Sequence, residues 1–396
     1  MMRTTPFHPR TEPLCQARNW RRWSGYSAAG SYELHHDREY WAIRNSAALI
    51  DVSPLHKYLI DGPDAERLLD RIITRDVTRC AVNQVLYTPW CDEAGKVMDD
   101  GTLTRLDKNS FRLSSALPTL RWLQDNAPGM DVNVKDISDD LAVLALQGPN
   151  ARAILKVAAD GAADKLGFFR LTKASIGGVP VDITRTGYTG DLGYEIWTES
   201  TNAIAIWDAL VEAGSPYRIL PAGILALDVA RIEAGLIMIE VDYQPAHHAL
   251  IEKRKSSPFE LGLGWAVKLD KEHFIGRDAL VAEKERGPEW ELKGLEISWE
   301  SMEKLYGVEG LPPQIPSEAW RCSVPVYRSG KQVGYATSGC WSPLLKKYIV
   351  LAHLQTPYAA NGSRLDMEVT VEHQRKQAVA RVVSPQFFDP KRKRSP

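Results

Sequence analysis

LAVLALQGPNARAILKVAADGAADKLGFFRLTKASIGGVPVDITRTGYTGDLGYEIW, residues 141–197, carries the fold class. Its opening run, LAVLALQG, has the length and composition of a buried strand. Gly148-Pro149-Asn150 breaks that run and starts a helix with Ile154, Leu155 and Val157 on its apolar side. LTKASI, Gly177-Gly178 and VPVDITRT then read as a hairpin. Upstream, Lys57 to Ile60 forms a short strand stopped by Gly62-Pro63. Asp64 is placed to cap a helix reaching Ile73, with Leu68, Leu69 and Ile72 on one side. Further strands are expected at 84–88 and 111–114, a helix at 118–126, and amphipathic helices at 201–213 and 221–236. Strands and helices mix without regular βαβ alternation, so the class is α+β. No Gly-x-Gly-x-x-Gly follows a strand and no phosphate loop occurs.

Beyond the charged stretch AEKERGPEWEL (282–292) the pattern changes to short alternating runs, among them LKGLEIS, CSVPVYRS, YIVLAHL and LDMEVTVE. These predict a small antiparallel β-barrel or sandwich, which divides the chain at 1–285 and 286–396. The basic end, Lys391 to Arg394, reads as a solvated tail. A net charge of −1 over 396 residues gives no reason to expect nucleic acid or a membrane surface as a partner. The five cysteines form no Cys-x-x-Cys pair, so no metal site is expected. MMRTTPFHPR lacks the apolar core of a secretory signal, and the expected location is the cytoplasm.

Three segments hold candidate chemistry. In YTPWCDEAGKVMDDG (87–101), Asp99, Asp100 and Gly101 read most simply as an Asp-Gly turn. The alternative is a carboxylate beside Tyr87 and Trp90 whose basicity is set by burial. In RTGYTGDLGYEIW (185–197), Gly187, Gly190 and Gly193 permit close backbone approach to a ligand. Glu195 and Trp197 share a strand face. If that face is buried, a flat heterocycle with two adjacent N–H groups would satisfy Glu195; if it is solvated, Glu195 is an ordinary surface residue. In PAGILALDVARIEAG (221–235), Asp228 and Arg231 are spaced as a surface ion pair or helix brace.

Taken in order, SAALIDVS (46–53), KVMDDG (96–101), LALQGPNA (144–151), TGYTGDLGYEI (186–196), ALDVARIEAG (226–235), GWAVKL (264–269), FIGRDAL (274–280) and TSGCWSP (337–343) resemble the glycine cleavage T-protein (aminomethyltransferase) superfamily. The resemblance implies a three-domain ring: a ferredoxin-like part, a second α+β part and a C-terminal antiparallel β-barrel. It also implies tetrahydrofolate as cofactor. Asp99 matches the family's reactive-centre aspartate and Glu195 its pterin anchor, with aromatic support from Tyr87, Tyr188 and Trp265.

Two departures shape the expected function. Leu227 stands where the family has a folate-proximal arginine. The Trp-rich leader, NWRRWSGYSAAGSYELHHDREYWAIRN, is similar to the superfamily's folate-dependent demethylases. The expectation is therefore transfer of a methyl group from a small donor, a methoxyaromatic acid, giving 5-methyltetrahydrofolate. Trp23 and Leu227 would form the donor wall, and Tyr26 would donate to the leaving oxygen. The alternative is an aminomethyltransferase that works with a lipoyl carrier protein. A non-catalytic folate-binding accessory protein is a third class, but its Lys-Gly-Cys-Tyr-x-Gly-Gln-Glu motif does not occur.

Overall fold

The computed structural model describes residues 2–395. It is an α+β protein built from two large sheets, a two-stranded hairpin (Trp20–Trp23 with Tyr26–Ala29) and a closed barrel. The first sheet is antiparallel, in the order Val85–Cys91, Val97–Asp107, Ser110–Ser115, His56–Asp61, Asn133–Asp136. Helices Ala65–Ile72 and Leu120–Asp125 cover one face. Tyr58, Ile60, Leu68, Leu69, Trp90, Phe111 and Leu113 fill the layer between.

The second sheet runs Leu171–Ile176, Val179–Thr184, Gly193–Glu199, Leu141–Gln147, Ala48–Asp51, Leu220–Pro221. One of its faces packs on helices Ala151–Ala158 and Ala203–Gly214 through Leu144, Leu146, Ile154, Ile196 and Leu210. Side chains buried this fully each stabilise the fold by about 1.5–3 kcal/mol. Its other face joins helix Ile224–Glu233 to the barrel residues Cys340, Ile349 and Leu351. All strands of the first sheet fall in sequence between Ala48–Asp51 and Leu141–Gln147, so the two sheets are interleaved along the chain. The barrel closes in the order Trp290–Ile297, Lys347–Gln355, Lys331–Ser342, Val324–Arg328, Arg364–Val371, Gln374–Val383.

Several expectations need correction. Asp64 precedes its helix, but its carboxylate accepts from the Asp131 amide at 2.8 Å rather than from the helix. Asp99-Asp100-Gly101 is no turn; it lies inside the eleven-residue strand Val97–Asp107. Gly101 is needed there because a Cβ would sit 1.9 Å from the Ser114 carbonyl oxygen. Helix Ile224–Glu233 is not amphipathic, since Leu225 to Glu233 are all buried. Asp228 and Arg231 (2.8 Å) are accordingly a buried pair rather than a surface one.

The basic end is docked rather than a free tail, although Lys391, Arg392 and Arg394 stay exposed. Arg392 makes a forked pair with buried Asp191 (2.6 and 2.8 Å), and Arg185 donates to the carbonyls of Arg392, Lys393 and Ser395. Phe388 lies under the Arg44 guanidinium at 4.4 Å. Among the described residues no helix is long and apolar enough to cross a membrane.

Candidate functional site

Strand register decides which side chains meet. Tyr87 pairs with Thr102 and Thr102 with Ser114, while Arg112 pairs with Thr104. Because side chains alternate between faces, Tyr87, Asp100, Thr102 and Arg112 share one face of the first sheet. Asp99 pairs with Trp90 and shares the opposite, helix-covered face with Gly101. In the second sheet Glu195 pairs with Thr184 and Trp197 with Asp182, which puts these four on one face. Arg112 spans the two sheets: its Nη1 donates to Asp182 at 3.0 Å and its guanidinium lies 4.1 Å from the Trp197 ring centre. The space between these faces is the candidate site.

Glu195 is half-buried there. Thr186 donates to its Oε2 at 2.7 Å and Thr184 reaches the same oxygen at 3.5 Å. Among the described residues the protein donates to Oε2 but not to Oε1. Burial raises the carboxyl's pKa, opposed by the threonine hydroxyls and the charge of Arg112. Trp197 turns its indole N–H to Thr184 at 3.1 Å, so the shared face expected for Glu195 and Trp197 is present.

The two aspartates have separate environments. Asp99 is buried, and its oxygens accept the amides of Asp100 (2.8 Å) and Leu117 (3.0 Å), which fixes the loop after Ser115. Asp100 instead accepts the hydroxyls of Tyr87 (2.7 Å) and Tyr243. Both carboxyls titrate above the usual range because burial disfavours their charge; the charge of Asp100 raises Asp99 further, whereas the two hydroxyls oppose the rise at Asp100. Asp100, not Asp99, therefore faces the inter-sheet space. Nothing in sequence singled out Tyr243 or Arg112, or told which of Asp99 and Asp100 shares a face with Tyr87.

Aromatic groups line the same region. Tyr87 stacks on half-exposed Trp265 with ring centres 5.9 Å apart, and the Arg75 guanidinium covers Trp265 at 5.5 Å. Tyr188 is half-buried and donates to the Ile237 carbonyl. Its ring packs in one cluster with Leu227, Trp197, Trp23 and Trp41. Trp20 goes elsewhere, to Cys15, Ala29 and Tyr32. Tyr26 is also diverted. Its hydroxyl donates to Asp139 at 2.6 Å, Arg3 lies over its ring, and burial first, then Asp139, push its pKa up to about 12. The Tyr26 proton is thus engaged by Asp139 in this structure. Gly187 and Gly193 serve protein packing, since a Cβ on either would meet the Gln147 amide within 2.2 Å; Gly190 is likewise blocked by Ala234.

Residues 14–271 match the family described as the GCVT N-terminal domain, and residues 310–389 match the glycine cleavage T-protein C-terminal barrel domain. This chain belongs to the glycine cleavage T-protein family. An aminomethyltransferase of Halothermothrix orenii is 36% identical over 84% of this chain and 86% of its own length. A trimethylamine-oxide aldolase of Ruegeria pomeroyi is 35% identical over 100% of this chain but 48% of its own length. The glycine cleavage system aminomethyltransferase T from Bartonella henselae superposes with a TM-score of 0.83, covering 98% of this chain and 99% of its own at 24% identity, a likeness of fold. As a family member the chain is a transferase that uses tetrahydrofolate.

Proposed function

We propose that this T-protein relative moves a one-carbon unit from a small donor onto tetrahydrofolate, and that the donor is a methoxyaromatic acid giving 5-methyltetrahydrofolate. The observation that carries the folate site is Glu195, a half-buried carboxylate whose Oε1 accepts no hydrogen bond among the described residues and which shares its strand face with Trp197. A pterin presents N3–H and a 2-amino group side by side, the paired donors such a carboxylate takes. Tyr87, Tyr188 and Trp265 supply flat apolar contact around it. When bound, tetrahydrofolate supplies the nucleophilic nitrogen that receives the one-carbon unit.

The protein's share is positioning and proton handling. Glu195 fixes the pterin in register, which removes much of the orientational cost of the reaction. Asp100 holds a basic carboxylate on the same side as Tyr87, positioned by two tyrosine hydroxyls. We assign to it the proton released when a folate nitrogen becomes alkylated, because burial raises this carboxyl's pKa and makes it the stronger base. Asp99 acts on this step through the backbone that it holds. Leu227 and Trp23 belong to one apolar cluster and form the wall that suits an aryl ring better than a polar carrier arm.

The second reading is aminomethyl transfer from a lipoyl carrier protein, favoured by the aminomethyltransferase names of relatives 33–36% identical. Against it, those relatives align over less than 90% of this chain, whereas the aldolase from R. pomeroyi spans all of it, leader included. The deciding experiment incubates purified protein with tetrahydrofolate and, separately, methoxybenzoates, methylated amines and an aminomethylated lipoyl carrier. 5-Methyltetrahydrofolate together with a free phenol is the expected product. Formation of 5,10-methylenetetrahydrofolate from the carrier, with every methoxyaryl acid ignored, would establish the second reading.

A further inference from the structure

We infer that Arg112 reads the pterin's 4-oxo group, completing the edge that Glu195 begins. This rests on the reading above that Glu195 holds the pterin. A pterin edge runs 2-amino, N3–H, carbonyl O4: donor, donor, acceptor in line. A carboxylate takes the first two and leaves O4 facing whatever stands beside it. Beside Glu195 stands a guanidinium. Asp182 and Trp197, the two groups that hold Arg112, lie one pleat repeat along the same sheet face from Thr184 and Glu195, a step of about 7 Å.

The guanidinium is incompletely used. Arg112 is 4% exposed, and Nη1 serves Asp182, but Nε and Nη2 are buried with no acceptor. A buried charged donor is nearly always paired, so two unpartnered nitrogens on one arginine point to an acceptor that arrives with a ligand. The location is consistent with this. Arg112 leaves its strand on the face that also carries Asp100 and Tyr87. It also supplies a cation from elsewhere: Leu227 stands where the family has a folate-proximal arginine, and Arg112 brings one in from a strand. Trp197, over which Arg112 lies, packs in the same cluster as Leu227. The ring holds the guanidinium plane, so the fork keeps a fixed direction.

The test compares binding of folic acid and aminopterin to the intact protein by titration calorimetry. The two differ where the 4-oxo group becomes 4-amino, an acceptor turned into a donor. The accompanying change at N3 is felt equally by every variant that retains Glu195, so the contribution of Arg112 appears in the ratio of the two affinities. The wild type is expected to prefer folic acid. Arg112→Met should weaken folic acid about tenfold and leave aminopterin within about twofold, collapsing the preference. Equal weakening of both ligands, or of neither, overturns the inference.

Should Arg112→Met fail to fold, Arg112→Lys keeps charge without the fork and should narrow the preference; an unchanged preference overturns the inference as well. The parent reading fails separately. If the wild type binds neither ligand, or Glu195→Gln binds folic acid as well as the wild type, the pterin anchor is wrong and this inference falls with it. If Glu195→Gln weakens folic acid while the Arg112 variants keep the wild-type preference, the Arg112 assignment alone is wrong.

Discussion

Two adjacent carboxylates on one strand do different work because a strand turns neighbours to opposite sides. Asp99 is tied to two amides on the helix-covered face, and Asp100 to two tyrosine hydroxyls on the open one. Asp100→Asn should lower turnover on the order of a hundredfold with a small change in melting temperature. Asp99→Asn replaces an acceptor with an amide facing a backbone N–H. It should cost about 1–3 kcal/mol in denaturant titration and leave turnover within a few-fold. Equal kinetic losses in the two variants would return the pair to a single shared role.

Glu195 gives a second contrast at this scale, between stability and binding. Burial raises its folded-state pKa above the unfolded value of about 4.3. Between those two values the native protein holds more protons than the unfolded chain, so this group's contribution to stability falls as pH rises through that window. Glu195→Gln should therefore raise the melting temperature of folate-free protein at pH 7, and the gain should vanish below about pH 4. A variant less stable than wild type at pH 7 would mean that the carboxylate is held by the protein rather than kept open for a ligand.

At the level of elements, what could be read in advance was local and what could not was pairing. The run LAVLALQG, the hairpin through Gly177-Gly178 and the short alternating strands after residue 290 announce themselves by period and turn residues, and each is present. Which face of Val97–Asp107 is open depends on its partners Val85–Cys91 and Ser110–Ser115, and register is invisible in a single strand. Hence the sequence could not say which of Asp99 and Asp100 faces the open side, and Arg112, in the plain-looking segment SFRLSS, carried no mark at all. Helix Ile224–Glu233 failed for a related reason. Asp228, Arg231 and Glu233 imitate a solvated stripe, but each meets an opposite charge from another element: Arg321, Asp242 and Arg44. The glycines of residues 187–193 were legible as close approach; that the approaching groups are Gln147 and Ala234 followed only from the sheet.

Across the whole molecule, buried charges fasten the barrel to the helix on the second sheet. Arg231 lies between Asp228 and Asp242, and Asp242 in turn accepts the barrel hydroxyls of Thr337 (2.6 Å) and Ser338 (2.7 Å). Arg231→Met leaves Asp242 buried without its cation and Asp228 with Arg321 alone. It should cost about 3–5 kcal/mol, read from the shift in urea midpoint. A loss below about 1 kcal/mol would show that these charges relax into solvent. The docked segment near residue 390 carries a consequence for how the protein is made. Arg392 grips Asp191 from 201 positions later in the chain, and Pro385 presses on Gly235, where a Cβ would meet its carbonyl oxygen at 2.3 Å. During translation at roughly 5–20 residues per second, the glycine-rich stretch leaves the ribosome about 10–40 s before its partner does. For that interval Asp191 has no Arg392, so a nascent chain should reach full folate affinity only once the downstream segment has emerged.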